Sequence, residues 1–144
     1  RFVPLSKFYL GYRQVDLNPN EIVTHIHIPI PKKENILKLY KVSVRKDLDI
    51  SAVTFAALLT LGDDNKISSL HLAFGGIAAT VLRMTEIEQF LFQKKFSREN
   101  IEQASFLLPI LVTPLSDVRG SKEYRLQLCK NLLLKFYDEV GSQL

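Results

Sequence analysis

The residues able to do chemistry in this chain are few, and their spacing limits what that chemistry can be. His25 and His27 stand two apart and project from the same side of an extended chain, so they could share a metal; His71 lies far along the sequence. A zinc site needs three or four defined ligands, and the single cysteine offers no pair to complete one, so partly solvated histidines are the preferred reading. That cysteine, Cys129, falls on an apolar stripe of helical spacing, where a thiol is usually inert packing. No Gly-x-Ser-x-Gly, His-Glu-x-x-His or phosphate-cradling glycine loop is present. The acids are scattered, and a self-contained active site is not expected. One segment stands out, Tyr40-Lys41-Val42-Ser43-Val44-Arg45-Lys46-Asp47-Leu48-Asp49. Lys41 sits mid-strand on the face of Leu37 and Leu39, so it must reach water or meet a partner. The charges after it form a solvated loop or a strand end that presents cations to an electron-rich ligand.

The elements that must position these residues follow from periodicity. Glu21–Ile30 alternates, with Ile22, Thr24, Ile26 and Ile28 on one face and Val23, His25 and His27 on the other; this predicts a half-buried strand ended by Pro29 and Pro31. Turns are expected at Leu10–Arg13 and Leu17–Asn20. Ile36–Val44 reads as a second strand. Ile50–Leu61 and Ile67–Phe74, joined by Gly62-Asp63-Asp64-Asn65, read as a hairpin, and Gly75-Gly76 ends the meander. The period then becomes helical. Thr85-Glu86-Ile87-Glu88 predicts a capping box, Ser97 a second N-cap with an apolar face running to Pro109, and Ser121 the cap of a last helix. In that last helix Cys129, Leu132, Leu133, Phe136, Tyr137 and Val140 recur at helical spacing. Strands first and helices second give a single α+β domain over residues 1–144, with an antiparallel sheet of three to four strands packed on about three helices.

Composition bounds the partners. The chain has 144 residues, 47% of them hydrophobic and 24% charged, which excludes disorder and low complexity and permits one real core. The net charge of +4 is spread evenly, which argues against a nucleic-acid arm or a polybasic membrane patch. The longest apolar runs, Phe55–Leu59 and Phe106–Val112, are far short of the roughly 18 residues that a membrane span needs. No signal-peptide core is found in Arg1–Leu10, and one cysteine fits a reducing compartment, so a cytoplasmic location is expected. A start at Arg1 rather than Met reads as a piece of a longer protein.

Several stretches then carry a resemblance. Lys41-Val42-Ser43-Val44-Arg45-Lys46-Asp47-Leu48-Asp49-Ile50-Ser51-Ala52-Val53 resembles the Lys-x-Ser-x-Arg-x-Asp-x-Asp-Ile-x-x-Val stretch of xanthine dehydrogenase flavin domains. Phe8–Arg13 followed by Pro19-x-Glu21-Ile22-Val23 is similar to the stretch before it, and Ala73–Ala78, Val118-Arg119-Gly120-Ser121-x-x-Tyr124-Arg125 and Asn131–Tyr137 fit in the same order. The resemblance implies the C-terminal half of the FAD-binding domain of a molybdenum hydroxylase, with the fold of the CO dehydrogenase flavoprotein C-terminal domain. The upstream half, which holds most of the FAD, lies outside this sequence. The iron–sulfur clusters and the molybdenum cofactor sit elsewhere in such an enzyme, and electrons pass from the clusters through FAD to NAD. By position, Lys41 would approach the flavin ring, Val23 would touch it and Arg45 would flank it. Asp47 and Asp49 would lie beside it in the loop, with Tyr12 and Arg13 near the dinucleotide entrance. Lys46 and Leu48 leave open whether oxygen competes with NAD. Two other classes stand against this reading. A non-catalytic interaction or dimerisation module would show a large exposed apolar face. A single-strand nucleic-acid binder would need more than Tyr40 as a stacking platform, and Asp47 and Asp49 oppose phosphate.

Overall fold

The computed structural model describes residues 1–45 and 49–142. The chain begins with a short helical turn, α1 (Leu5–Phe8), and a small antiparallel pair, β1 (Tyr9–Gly11) and β2 (Gln14–Val15). The main sheet follows as β3 (Ile36–Val42), β4 (Val53–Leu61), β5 (Ile67–Gly75) and β6 (Leu82–Arg83), antiparallel throughout and in sequence order. The helices come last: α2 (Thr85–Leu91), α3 (Arg98–Ser105), α4 (Leu108–Leu111) and α5 (Lys122–Gly141). The α+β order and the antiparallel meander match the expectation.

The sheet forms where apolar alternation and a turn coincide. Between β4 and β5, Asp64 and Asn65 take positive φ, which these residue types tolerate best after glycine. Val53, Phe55, Ala57 and Leu59 of β4 and Leu70, Leu72 and Phe74 of β5 point inward and are buried. A register shift at Thr60/Leu61 lets Ile67 face inward too. All the helices from α2 onward pack on that one face. Ile87 and Leu91 of α2, Ile101 and Ala104 of α3, and Leu132, Leu133, Phe136 and Val140 of α5 close the core. Its centre is aromatic: the Phe55 and Phe74 rings stack at 4.5 Å between centroids, and Phe136 meets Phe55 edge-on at 6.1 Å.

Two caps are as expected. Ser97 accepts a hydrogen bond from the Asn100 amide, and Ser121 accepts one from the Tyr124 amide. The capping box at Thr85 does not form. The first turn of α2 has no side-chain cap, and Glu88 is used elsewhere: its carboxylate accepts hydrogen bonds from the Leu72 amide at 2.7 Å and from Arg83 Nε at 2.9 Å. A half-buried sheet amide and a guanidinium outcompete a frayed helix end for one carboxylate.

The strand predicted over Glu21–Ile30 is also absent. Residues 21–30 are not strand, and their isoleucines are exposed, Ile22 at 81%, Ile26 at 75%, Ile28 at 78% and Ile30 at 90%. Alternation suits a strand only where a neighbour supplies the ladder. Among the described residues, the hydrogen bonds and ion pairs of residues 1–31 stay within that segment, chiefly through Arg1, whose guanidinium bridges Asp16 and Glu21 at 2.8 Å each. We refer to residues 1–31 as the arm.

Candidate functional site

With helices α2 to α5 packed on one side, the other side of the sheet carries none of them. Strand β3 alternates between half-buried and exposed residues, and its outward set is Leu37, Leu39 and Lys41. The registers extend that set across the sheet. Lys41 lies opposite Thr54, and Thr54 opposite Gly75; Leu39 lies opposite Ala56, and Ala56 opposite Ala73, which pairs with Arg83; Leu37 lies opposite Leu58, and Leu58 opposite His71. Around Lys41 the outer surface is therefore floored by Thr54, Ala56, Ala73 and Gly75, all small. Gly75 has no room to be larger, since a Cβ there would lie 2.5 Å from Thr54 Oγ1. The result is a flat, weakly polar floor with one ammonium at its end.

Lys41 is exposed and makes no hydrogen bond or ion pair among the described residues. Its charge still reaches the loop that follows, where it is one of the groups that hold the Asp49 carboxyl below the usual carboxylate range. The larger cause is the Arg45 amide, which donates to Asp49 Oδ2 at 2.9 Å. Ile50 N donates to Asp49 Oδ1 at 3.0 Å, and Ser43 Oγ donates to the Arg45 carbonyl at 2.7 Å. Asp49 thus ties the two ends of the loop together beside Lys41, and the Arg45 side chain, though 83% exposed, keeps its Nε 3.9 Å from Asp49 Oδ2.

The structure places Lys41, Arg45 and Asp49 near one another at one end of the sheet. Asp47, with Lys46 and Leu48, lies outside the described residues. Val23, Tyr12 and Arg13 belong to the arm. Val23 and His25 line a shallow groove there with Arg1, Phe8 and Glu21, and Val23 reaches that position from irregular extended chain rather than from a strand. Tyr12 and Arg13 form the tip between β1 and β2, with the Arg13 guanidinium 5.2 Å from the centre of the Tyr12 ring. No hydrogen bond or ion pair among the described residues joins these three to Lys41.

The other candidates for chemistry resolve quietly. Cys129 is fully buried, and burial pushes its thiol up to about 12. His71 contacts Arg83 on the outer face, and His27 meets the Phe2 ring edge-on. No three His, Cys, Asp or Glu side chains among the described residues are grouped closely enough to hold a metal.

One residue has a role that the sequence reading did not assign. Arg125 of α5 is 4% exposed, and its Nη1 donates to the carbonyls of both Ala52 and Gly76. Its Nη2 donates to Asp117 Oδ1 at 2.6 Å. The signal was present: Arg125 stands four residues before Cys129 and seven before Leu132, on the apolar stripe itself.

Comparison with known proteins decides the family. Residues 38–140 match the model of the CO dehydrogenase flavoprotein C-terminal domain. The chain belongs to the CO dehydrogenase flavoprotein C-terminal domain family. Among curated relatives of this flavoprotein C-terminal domain, the xanthine dehydrogenase FAD-binding subunit of Escherichia coli O157:H7 is 34% identical over 97% of this chain and 48% of its own length. The xanthine dehydrogenase of Emericella nidulans is 32% identical over 99% of this chain and 11% of its own. The chain therefore spans half or less of the relatives it matches. Among solved structures, carbon monoxide dehydrogenase from Hydrogenophaga pseudoflava superposes with a TM-score of 0.85 at 23% identity, covering 94% of this chain and 46% of that one; this shows the shared fold. The α+β architecture of the flavoprotein C-terminal domain is thus found both in the chain and in its structural neighbour.

Proposed function

We propose that this chain is the second half of the FAD-binding unit of a xanthine-dehydrogenase-like molybdenum hydroxylase, and that its bare sheet face covers the flavin ring. The observation that carries the reading is Lys41, a cation with no ion-pair partner among the described residues, at the end of a flat floor of small side chains and on the sheet face opposite helices α2 to α5. The donor set fits a flavin: a planar, electron-accepting ring system needs a flat surface and gains from a nearby positive charge. FAD, when bound, supplies the redox chemistry, taking electrons from iron–sulfur clusters and passing them to NAD. The residues of this chain do the rest. Lys41 favours negative charge on the ring and so raises its potential. Leu39 and Val23 offer apolar contact and exclude water. Asp49 fixes the loop that sets where Lys41 and Arg45 stand, and Tyr12, Arg13 and Asp47 shape the nicotinamide entrance.

The partner that completes the site is the preceding half of the same flavin-binding unit, with the iron–sulfur and molybdenum domains or subunits beyond it. The arm supports this, because four isoleucines at 75–90% exposure are a poor free surface and a good buried one. The lone buried thiol agrees with a reducing, cytoplasmic setting. No described helix is long and apolar enough to cross a membrane.

The test is an FAD titration of the chain alone and then joined to the preceding half. The expected result is weak or no binding alone and a bound yellow flavin in the joined form. A joined form that is folded but colourless refutes the reading. The exposed isoleucines also favour a second reading, a non-catalytic dimerisation module; sedimentation at several concentrations, showing a tight dimer of the chain by itself, would support it instead.

A further inference from the structure

Packing holds the loops at the Lys41 end of the sheet only in part: Ala52 and Ile77 are buried, but other apolar side chains of these loops are not. Val44 and Ile50 in the β3–β4 loop, Val81 after β5, and Leu115 and Val118 before α5 are all exposed. Yet these three loops share one buried anchor. The Arg125 guanidinium reaches the Ala52 carbonyl just before β4, the Gly76 carbonyl just after β5, and the Asp117 carboxylate in the third loop. Ala52 is two residues from Thr54, and Gly76 is next to Gly75; Thr54 and Gly75 form a single cross-strand row with Lys41. The Ala52 amide in turn donates to the Val42 carbonyl at 2.8 Å, one residue from Lys41.

The local sequence is built around this contact. Gly76 has φ +82°, and a Cβ there would lie 2.5 Å from the Ala52 oxygen and 3.4 Å from Arg125 Nη1. Asp117 is fixed by the Arg119 amide at 2.8 Å, which with Arg125 holds its carboxyl below the usual range. A planar fork with several fixed donors can join two carbonyls and a carboxylate at once, whereas a lysine ammonium is a single flexible point. The Arg125 Nε is buried with no hydrogen-bond partner among the described residues, while both terminal nitrogens are bonded.

We propose that Arg125 is a positioning residue for the flavin. Through Ala52, Gly76 and Asp117 it sets the position of the Lys41 row and of the loop carrying Arg45 and Asp49. This rests on the flavin reading above, and the experiment separates the two. Arg125→Lys, Arg125→Met and the milder Asp117→Asn are compared with Lys41→Ala and with Val140→Ala. Val140 is a buried core residue of the same helix, 15 positions on and so about 22 Å along the axis. Amide exchange is read over Ser43–Val53 in the chain, and the flavin midpoint potential in the flavin-loaded protein that contains it.

The expected result is exchange at Ala52 at least about tenfold faster in both Arg125 variants, reflecting local opening at that end, and less affected in Asp117→Asn. The potential falls in the Arg125 variants in the direction of Lys41→Ala, while Val140→Ala lowers the melting temperature and leaves the potential unchanged. If Lys41→Ala shifts the potential and the Arg125 variants and Asp117→Asn do not, the positioning role is overturned and the flavin reading stands. If Lys41→Ala leaves the potential unchanged as well, the flavin placement fails and this role falls with it. If Val140→Ala moves the potential as far as Arg125→Lys, the effect is general loosening and the proposal is overturned.

Discussion

Strand β3 offers a sharp test, because neighbouring residues should answer very unequally to the same substitution. Tyr40 points into the protein. Its ring stacks on Phe55 at 5.9 Å, and its hydroxyl donates to Glu139 Oε2 at 2.8 Å. Leu39, one residue before, points out and is 69% exposed. An aromatic side chain carries roughly 150–250 Å² of surface; with most of it covered, at about 25 cal/mol per Å², Tyr40→Ala should cost about 3 kcal/mol. Leu39→Ala removes little buried area and should cost under about 1 kcal/mol. Tyr40→Phe isolates the hydroxyl and should cost about 1 kcal/mol. Urea unfolding of the chain, followed by circular dichroism, gives all three values from the midpoint at constant slope. A one-residue slip of β3 would exchange the two faces and invert the order. If Leu39→Ala proved more destabilising than Tyr40→Ala, the outward assignment of Lys41 would be wrong, and the proposed flavin face with it.

In the flavin-loaded protein, Lys41→Ala should lower flavin affinity or potential while leaving the melting temperature nearly unchanged, which separates a ligand-facing lysine from a structural one. Asp49, Asp117 and Glu139 all titrate below the usual carboxylate range when folded, through hydrogen bonds led by the Arg45 amide, the Arg119 amide and Lys135 respectively. Their contribution is fully present above the ordinary carboxylate values and is lost as pH falls through the folded values. The urea midpoint should therefore fall on going from pH 6 toward pH 3, and Glu139→Gln should flatten that fall. Cys129, with its thiol pushed up to about 12 and fully buried, should react with a thiol reagent at pH 8 only as the chain unfolds; a fast-reacting thiol in the folded chain would contradict the packing. Gly76→Ala should destabilise by about 1–3 kcal/mol, from a left-handed backbone and a blocked approach. Gly62→Ala, where φ is −100° and the nearest atom lies at 3.5 Å, should be far milder; equal melting temperatures would remove the case for the close approach at Gly76.

Much of the core-forming part was legible in the residues because its signals are local. Alternation in Ile36–Val42 and Ile67–Phe74, left-handed-tolerant residues at the turn between β4 and β5, serine caps before α3 and α5, and the 3.6-residue stripe of α5 are each set by a few neighbouring side chains. The loop from Lys41 to Asp49 was singled out by its charges, and Lys41 by its place on an otherwise apolar face. Other features depend on partners distant in sequence. Glu88 was read as a cap because the sequence shows Thr85 and not the Leu72 amide that it actually meets. Strand β6 has two residues and exists through its pairing with β5.

What the sequence determined alone was periodicity, turns and the residue types available, since those act within one turn or one hairpin. What only the tertiary structure decided was sidedness. Residues 21–30 alternate as well as any strand but have no neighbour to pair with among the described residues, so their isoleucines face outward. Leu37, Leu39 and Lys41 could have faced either way until all the helices from α2 onward packed on the opposite side. Arg125 had no assigned role until β4, β5 and the Asp117 loop brought two carbonyls and a carboxylate around it. Hydrogen bonds and burial of this kind join residues up to 99 positions apart, and no local pattern encodes them.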